Sequence, residues 1–385
     1  MGLALDMTTI IYSEKVTDIE GNQITKEALK EIFKEAIEIN KNLSSNSKRI
    51  AYFFIDPLLN SFEAANNFYF SILECNLIKK IDTYKSGASP VQALSDAKEL
   101  IDHDLYDAVF IFGYDPLLSN RHVYGKDIIK QAMDIFNGRS ILECYNLIAH
   151  KMCEEMGICK ELFFQLTDGL HRNYLRTYTK KIGREVLYDR GRLLNDLNGD
   201  LFRITDCANP NVDFAGGVII VNDETVDFLN IENEKVKVSG VRYSMVEGIP
   251  ENIDKIVGCK DNLFTHLRSS FLEAQHQANI NVVQEFKNEN LLLELYTCFP
   301  PIPLAFLLTT KMVESVSELP QFLSSYEITV TGGMNFAKAP WNNPALNGLI
   351  DMCKAMRKGV KKYGLIHGNG GIGEIQGVAI LERCR

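Results

Sequence analysis

The chain has 385 residues, of which 46% are hydrophobic and 24% charged, and this composition excludes both a disordered chain and a mini-protein. Acidic residues outnumber basic ones by 50 to 41, so the net charge of -9 leaves no basic surplus for a nucleic-acid partner. The chain starts without the basic region of a signal peptide and has no apolar run of membrane-spanning length, so we expect a soluble, cytoplasmic protein with no membrane partner.

Strand and helix patterns alternate through the first third of the chain. Apolar runs bounded by polar residues predict buried strands, and apolar residues at helical spacing predict amphipathic helices. The predicted strands cover 7–13, 48–55, 79–84 and 107–113, and the predicted helices cover 26–43, 62–74 and 90–103. Ser89 is the predicted N-cap of the last helix, and Pro90 is its predicted first residue. This alternation predicts an α/β protein with a sheet between helices.

From residue 116 to residue 209 the pattern is helical. Helices are predicted over 122–137 and 141–157, and no buried-strand run separates them. Alternation then resumes: the predicted strands cover 216–223, 234–243, 291–296, 327–333, 363–371 and 377–383, and the predicted helices cover 261–278, 298–314 and 343–362. The second part of the chain therefore repeats the α/β character of the first around a helical insertion.

Three glycine-bearing corners follow predicted buried strands, at 86–90, 331–335 and 368–371. Glycines at the carboxyl end of a strand allow backbone amides to approach a ligand, and open α/β sheets bind ligands at that edge. Tight turns alone would also explain each corner. We interpret the three together as one binding site, with the predicted substrate-binding residues Ser86, Gly87, Gly332, Gly333, Lys338, Asn369 and Gly370. No histidine or cysteine spacing predicts a metal site.

Four segments carry a resemblance to a known family: Leu295-Tyr-Thr-Cys-Phe-Pro300, Val330-Thr-Gly-Gly-Met334, Ala339-Pro-Trp-Asn-Asn-Pro344 and Gly368-Asn-Gly-Gly371. In this order they resemble the thiolase superfamily, in a branch described as acetyl-CoA acetyltransferases. The resemblance implies a five-layer αβαβα fold of two similar halves with a helical loop domain. The implied first half covers 1–115 and 210–235, the loop domain covers 116–209, and the second half covers 236–385. It also implies a coenzyme A thioester as ligand, with no permanently bound cofactor.

The positions that carry thiolase chemistry differ in this chain. The resemblance implies a nucleophilic cysteine at the start of a buried helix, an activating histidine and a second cysteine. Matched to the family pattern, these three positions are Gly87, Ala339 and Gly368, and a fourth, which orients a water in the family, is Tyr296. We therefore expect a degenerate thiolase, which either binds an acyl-CoA without turnover or acts as a non-catalytic subunit of an acyl-transfer assembly.

An alternative interpretation retains catalysis. Cys298, His367 and Tyr296 lie on segments that the resemblance assigns to the active-site floor, and together they would make a relocated acyltransferase or thioester hydrolase. Buried structural roles would also explain Cys298 and His367. A basic cluster in the insertion would meet the phosphates of coenzyme A, although a solvated helix face would also explain it; its members are His171, Arg172, Arg176, Lys180 and Lys181. The expected assembly is a homodimer, or a heteromer with another thiolase-like or acyl-transfer protein.

Overall fold

The computed structural model describes residues 8–59, 64–125, 127, 138–186, 200–231, 235–247 and 252–384. The strands are β1 Thr9–Asp18, β2 Ile50–Ile55, β3 Ile81–Tyr84, β4 Ala108–Asp115, β5 Asp213–Val221, β6 Val236–Met245, β7 Gly258–Cys259, β8 Asn262–Leu263, β9 Leu291–Glu294, β10 Tyr363–Gly370 and β11 Ile375–Arg383. The helices up to β5 are α1 Lys26–Ile32, α2 Lys34–Ser45, α3 Ala64–Asn67, α4 Ser89–Asp102, α5 Leu117–Tyr124, α6 Ile141–Met156 and α7 Lys160–Ile182. Those after β5 are α8 Asp223–Phe228, α9 Ile253–Val257, α10 Thr265–Ala278, α11 Val282–Lys287, α12 Pro301–Thr309, α13 Leu319–Ser325, α14 Gly333–Phe336 and α15 Pro344–Lys358.

Nine of the described strands form one mixed sheet in the order β3-β2-β4-β5-β1-β6-β11-β10-β9. Strand β2 runs parallel to β3 and β4, β9 runs parallel to β10, and the other neighbours are antiparallel. In the part of the chain that the structure describes, β1 is joined to β6 by the pairs Thr9 with Lys237 and Ile10 with Val236. Five strands from the first part of the chain therefore meet four strands from the second part at one short junction.

Two helices lie between these groups of strands. Helix α4 contacts β2, β3 and β4 on one side and β6, β10 and β11 on the other, and α15 contacts β1 and β5 as well as β6, β9 and β10. Helices α1, α2 and α8 cover the outer face of the first group, and α10 covers β6 and β11. The layers run helix, sheet, helix, sheet, helix, and the predicted α/β fold class is confirmed.

The segment between β4 and β5 contains helices α5, α6 and α7. Ser140 and Glu143 form a capping box at the start of α6, and this helix ends at Gly157 in the left-handed region. Helix α7 packs against α13 and α14, which belong to the second part of the chain. Of the helix predicted over 122–137, residues 126 and 128–137 lie outside the described residues. None of the described helices combines the length and apolar character needed to cross a bilayer.

The strand predicted over 327–333 does not form. The Glu294 carboxylate accepts hydrogen bonds from the N–H groups of Val330 and Thr331, at 2.7 and 2.9 Å, and Asn173 Oδ1 accepts the N–H of Ile328 at 3.3 Å. One backbone bond, from the Leu295 N–H to the Ile328 carbonyl at 3.0 Å, joins this segment to the chain beyond β9. Side chains therefore accept the hydrogen bonds of backbone N–H groups that would otherwise pair with a neighbouring strand.

The predicted helix cap at Ser89 is also wrong. Ser89 is already the first residue of α4, Pro90 is the second, and Ala88 stands at the N-cap without a side-chain cap. The Ser89 hydroxyl instead accepts the N–H of Ser86 at 2.6 Å. Ser89 therefore closes the corner that precedes the helix, and α4 starts one residue earlier than its sequence pattern predicts.

Candidate functional site

Gly87 lies in the corner between β3 and the buried helix α4. A Cβ added at Gly87 would come under 3.0 Å from both the Tyr296 hydroxyl oxygen and the Asn369 backbone oxygen, and its distance to Tyr296 Cζ would be 3.0 Å. Real Cβ atoms essentially never approach other atoms within 3.0 Å. The phenol of Tyr296 and the backbone of β10 therefore fill the space that a cysteine side chain would need at this position.

The corner at 368–371 packs directly on the corner at 86–90. A Cβ added at Gly370 would lie 2.8 Å from Ser86 Oγ, and one added at Gly368 would lie 2.9 Å from Val91 Cγ2 and 3.3 Å from Ala88 Cα. The Ser86 hydroxyl donates to Gln92 Oε1 at 2.9 Å. The structure thus brings the predicted residues Ser86, Gly87, Gly368 and Gly370 together, although hundreds of residues separate them in sequence.

Gly332 and Gly333 have a packing role. Their φ angles are 97° and 75°, in the region that favours glycine. A Cβ at Gly332 would lie 2.6 Å from Tyr178 Cβ, and a Cβ at Gly333 would lie 2.6 Å from Tyr174 Cγ. Both tyrosines belong to α7. The close approach of α7 therefore requires glycine at these two positions, which the sequence analysis predicted to bind substrate.

Ala339 joins the site through a chain of hydrogen bonds. Its N–H donates to the Asn209 carbonyl at 2.9 Å, and the Asn209 N–H donates to the Met334 carbonyl at 3.0 Å. The Met334 N–H in turn donates to Thr297 Oγ1 at 2.8 Å, next in sequence to Tyr296. Ala339 is therefore linked to the segment that carries Tyr296, and the contacts of the described residues do not join it directly to the glycine corners.

Lys338, the remaining predicted binding residue, is half-buried and has a φ of 69°. Partial burial lowers the pKa of its ammonium group, because removal from water disfavours the charged form. A lysine in this position is easier to deprotonate than a fully exposed one. Its neighbour Ala339, which the resemblance matches to the family's histidine, supplies no ionisable group.

Cys298 is buried, with 7% of its surface exposed. Its Sγ atom accepts a hydrogen bond from Asn369 Nδ2 at 3.7 Å, and the same amide group donates to the Tyr145 hydroxyl at 2.8 Å. The Tyr145 ring stacks on Phe299 with centroids 3.8 Å apart. Burial raises the pKa of the Cys298 thiol well above its ordinary value, which suppresses the thiolate that a nucleophile needs.

His367 is enclosed in the same region, with 1% of its surface exposed. Its Nδ1 atom accepts the N–H of Tyr296 at 3.4 Å, and its Nε2–H donates to Gln376 Oε1 at 2.7 Å. The orientation of the Gln376 amide is set because its Nε2 donates to Asn369 Oδ1 at 2.6 Å. Burial lowers the pKa of His367 to about 4, so the ring is neutral near pH 7.

The predicted constellation of Cys298, His367 and Tyr296 is thus assembled as neighbours in one buried network. Among the described residues, the hydrogen bonds of His367 reach Tyr296 and Gln376. Those of the Cys298 thiol reach Asn369, Tyr145 and the backbone of Phe299, and none joins the imidazole directly to the thiol. A Cys–His nucleophile requires that direct contact for proton transfer. The arrangement therefore orients side chains without activating the thiol.

Two members of this network were missed in the sequence. Tyr145 lies on α6 in the insertion, and its hydroxyl donates to the Gly371 carbonyl at 3.1 Å, which ties the insertion to β10. No sequence pattern distinguishes it from a core tyrosine. Gln376 is fully buried on β11, which starts two residues before the predicted strand at 377, so the sequence pattern left this glutamine outside the strand.

The basic cluster of the insertion is partnered within the protein. Arg172 pairs with Asp168, Lys180 with Glu327 and Lys181 with Asp351. The Arg176 guanidinium donates to backbone carbonyls of α13 and the residue after it, Ser324 at 2.7 Å and Tyr326 at 3.0 Å, and His171 is buried. Phosphates would have to compete with these partners. Within the described ranges, no group of three or more His, Cys, Asp or Glu side chains is placed to hold a metal ion.

No family model matches the chain, and no curated protein matches it. Among solved structures, the chain is similar to a monomeric SCP2-thiolase-like protein type 1 from Mycobacterium smegmatis, with 15% identity and a TM-score of 0.70 over 98% of this chain and 77% of that one. It is also similar to a structure described as the Ltp2–ChsH2(DUF35) aldolase, with 12% identity and a TM-score of 0.72 over 98% of both chains. The chain therefore has a thiolase-like fold.

Proposed function

We propose that this chain is a thiolase-fold subunit that holds an acyl-CoA or related thioester without forming an acyl-enzyme, within an acyl-transfer assembly. The observation that carries its non-covalent part is the filled corner at Gly87, the position matched by resemblance to the family's nucleophile, where the Tyr296 hydroxyl and the Asn369 backbone occupy the space of a side chain. The thioester part is supported by the resemblance and by the thiolase-like fold. Covalent acyl transfer requires a nucleophilic atom beside the thioester carbonyl. Glycine supplies no such atom, and its surroundings leave no room for a cysteine.

The cysteine of the alternative interpretation, Cys298, supports the same conclusion. Burial raises the pKa of the Cys298 thiol, so at pH 7 it is protonated. The neutral ring of His367 is held by Tyr296 and Gln376, and it makes no hydrogen bond to the thiol among the described residues. Without a base in contact with it, this thiol would attack a thioester slowly.

The assembly part of the proposal is supported by one structural neighbour. The aldolase neighbour is named with two components, one of them a DUF35 protein, so a chain of this fold is found in a heteromer. The other neighbour is described as monomeric. For the present chain we favour a heteromer over a homodimer, because a subunit that binds a thioester without turnover needs a catalytic partner to act on it.

The test combines binding with product analysis. The purified chain is titrated calorimetrically with acetyl-CoA, acetoacetyl-CoA and free coenzyme A, and the same mixtures are separated chromatographically. We expect saturable binding, competition by free coenzyme A, and no condensation, cleavage or hydrolysis products. Cys298→Ala is the matched control and should bind as the wild type does. Product formation that Cys298→Ala abolishes would establish the catalytic alternative, and absence of binding would refute the thioester proposal.

A second candidate function rests on the position of Tyr296. Its hydroxyl lies beside Gly87, the position that the resemblance matches to the family's nucleophile. Burial raises the pKa of the phenol well above its ordinary value, so it stays protonated near pH 7 and holds a proton that only a strongly basic group such as an enolate carbon can take. Proton donation suits aldol cleavage of a carbon–carbon bond, and the second structural neighbour is named an aldolase. In that reaction, a β-hydroxyacyl-CoA loses its hydroxyl proton to water, and the carbon–carbon bond breaks to give a carbonyl compound and an acyl-CoA enolate. The enolate carbon then takes up a proton from Tyr296, which regains one from solvent.

The two candidates differ in their response to substitution. Incubation with a β-hydroxyacyl-CoA should release a carbonyl compound if the second candidate is right, and Tyr296→Phe should abolish the release while Cys298→Ala leaves it intact. Tyr296→Phe keeps the ring and removes only the hydroxyl. No release from the wild type would exclude the second candidate and leave the non-catalytic proposal standing.

A further inference from the structure

Strands β6, β10 and β11 bring basic residues together at one edge of the sheet. Strand β11 lies between the other two, and its last residues meet the beginning of each, with Glu382 opposite Lys237 and with Arg383 as the final residue. Lys235 directly precedes β6, and Lys362 directly precedes β10. Positively charged side chains from separate parts of the chain are therefore neighbours here.

The turn between α15 and β10 belongs to the same edge. Arg383 holds it with two hydrogen bonds, from its N–H to the Lys362 carbonyl at 2.9 Å and from its guanidinium to the Gly359 carbonyl. Val360 in this turn is 88% exposed, and Lys358, the last residue of α15, is exposed as well. We call this surface the basic edge; its cationic residues are Lys235, Lys237, Lys358, Lys361, Lys362 and Arg383.

Carboxylates balance only part of this charge. Glu382 pairs with Lys362 at 3.1 Å. Across the described ranges, no ion pair holds the other four lysines of the basic edge. Glu232 and Glu234 precede Lys235 in the sequence, and even when both are counted, six cations stand against three carboxylates. The basic edge is therefore positive in a chain whose net charge is -9.

The composition of the basic edge indicates the kind of surface that it fits. Protein–protein interfaces are depleted in lysine and are anchored by tyrosine, tryptophan, phenylalanine, methionine or arginine. Five of the six cations here are lysines, and the exposed large apolar side chain beside them is Val360, because the neighbouring Tyr363 is buried. Clustered lysines beside an exposed apolar side chain suit the headgroup region of an anionic bilayer.

We propose that the basic edge binds an anionic lipid surface, with its lysines among the phosphate groups and Val360 inserted beneath them. Each lysine near such a surface strengthens binding by about fivefold, and a buried apolar group adds to this. The sequence-based expectation of no membrane partner rested on the absence of an apolar run of spanning length, and a protein that lies on a membrane needs no such run. The proposal is independent of thioester binding and makes no use of the glycine corners.

The test is flotation with lipid vesicles. The full chain is mixed at low salt with vesicles of phosphatidylcholine and phosphatidylserine in equal parts, or of phosphatidylcholine alone, and the bound fraction is measured after centrifugation in a density gradient. We expect binding to the anionic vesicles, little binding to the neutral ones, and release as salt rises, because the charges lie at the surface. Soluble glycerophosphoserine, the free headgroup, should not displace the protein, since one headgroup cannot engage several lysines at once.

Matched substitutions localise the binding. Lys358→Glu and Lys361→Glu should each weaken binding to anionic vesicles by at least about fivefold, since each removes a lysine and adds a carboxylate. Lys34→Glu makes the same charge change at the exposed start of α2 and should bind as the wild type does. Val360→Ser should weaken binding by about fivefold. Leu77→Ser, at a side chain that is 71% exposed just before β3 at the other end of the sheet, should not.

Several outcomes would overturn the proposal. Equal binding to neutral vesicles, no binding to anionic ones, or variants Lys358→Glu and Val360→Ser that bind as tightly as the wild type would each do so. Displacement by glycerophosphoserine would assign the basic edge to a small soluble anion instead of a lipid surface. Binding to a soluble polyglutamate peptide in preference to the vesicles would assign it to an acidic protein.

Discussion

The strongest test of the filled corner is a minimal enlargement of Gly87. In Gly87→Ala, the new methyl group meets the Tyr296 hydroxyl oxygen and the Asn369 backbone oxygen at under 3.0 Å. The phenol can rotate or shift, but the Asn369 carbonyl belongs to β10, which is paired with β11 at this position. Overpacking of a well-packed interior costs about 1–3 kcal/mol, and a backbone obstacle favours the upper end of that range.

The assay is urea denaturation followed by circular dichroism, with the free energy of unfolding as the measured quantity. Gly87→Ala should lower it by about 3 kcal/mol. Gly169→Ala is the matched control: this glycine lies inside α7, and an added Cβ would meet its nearest neighbour, Leu323 Cδ1, at an ordinary 3.4 Å. Because alanine favours a helix over glycine, the control should be stabilised by about 0.5–1 kcal/mol. Equal stability of Gly87→Ala and the wild type would refute the inference that the space beside Gly87 is filled.

Adding Tyr296→Phe to Gly87→Ala separates the two obstacles. The phenylalanine removes the hydroxyl oxygen but leaves Cζ at 3.0 Å and the Asn369 carbonyl in place. The double variant should therefore recover only part of the loss, about 1 kcal/mol. Full recovery would show that the phenol alone closes the corner and that a side chain at position 87 can be accommodated.

Three further predictions concern buried ionisable groups. Iodoacetamide at pH 8 should alkylate the exposed Cys159 far faster than Cys298, whose thiol has a raised pKa, and equal rates in mass-mapped digests would contradict that burial. Burial raises the pKa of Glu294 from 4.5 to about 7, so its stabilising contribution is complete below pH 4.5 and is lost as pH rises to about 7. The free energy of unfolding should fall by about 3 kcal/mol over that window, and Glu294→Gln, which can keep the bonds to Val330 and Thr331, should flatten the profile. The His367 ring, with a pKa of about 4, should show no imidazole titration by NMR between pH 5 and 8, and a midpoint near 6.5 would contradict its enclosure.

Local patterns in the sequence predicted most of the strands and helices. Apolar runs such as 48–55 and 107–113 predict strands because a strand buried on both faces is apolar throughout, and the structure has β2 and β4 there. The segment 327–333 carries a comparable pattern and is not a strand. Its backbone N–H groups donate to the side chains of Glu294 and Asn173. These side chains come from distant parts of the chain, so a local sequence pattern does not reveal the contact.

The candidate site was predictable only in outline. Residues 87, 296 and 368 were matched through the resemblance, and the structure places the three around two packed corners. The sequence does not show that Tyr296 fills the space at Gly87, because that depends on a side-chain direction between segments about two hundred residues apart. It likewise does not show that Asn369 and Gln376 stand between Cys298 and His367.

The most direct test of the central claim, that this chain handles a thioester without covalent acyl transfer, is an intact-mass measurement. The wild type is incubated with acetyl-CoA at pH 7 and at pH 8, desalted and weighed by electrospray mass spectrometry, with Cys298→Ala as the reference. The expected result is the unmodified mass for both proteins at both pH values, because position 87 has no nucleophile and the Cys298 thiol is protonated. A wild-type protein that gains the mass of one acetyl group, absent from Cys298→Ala, would contradict the claim.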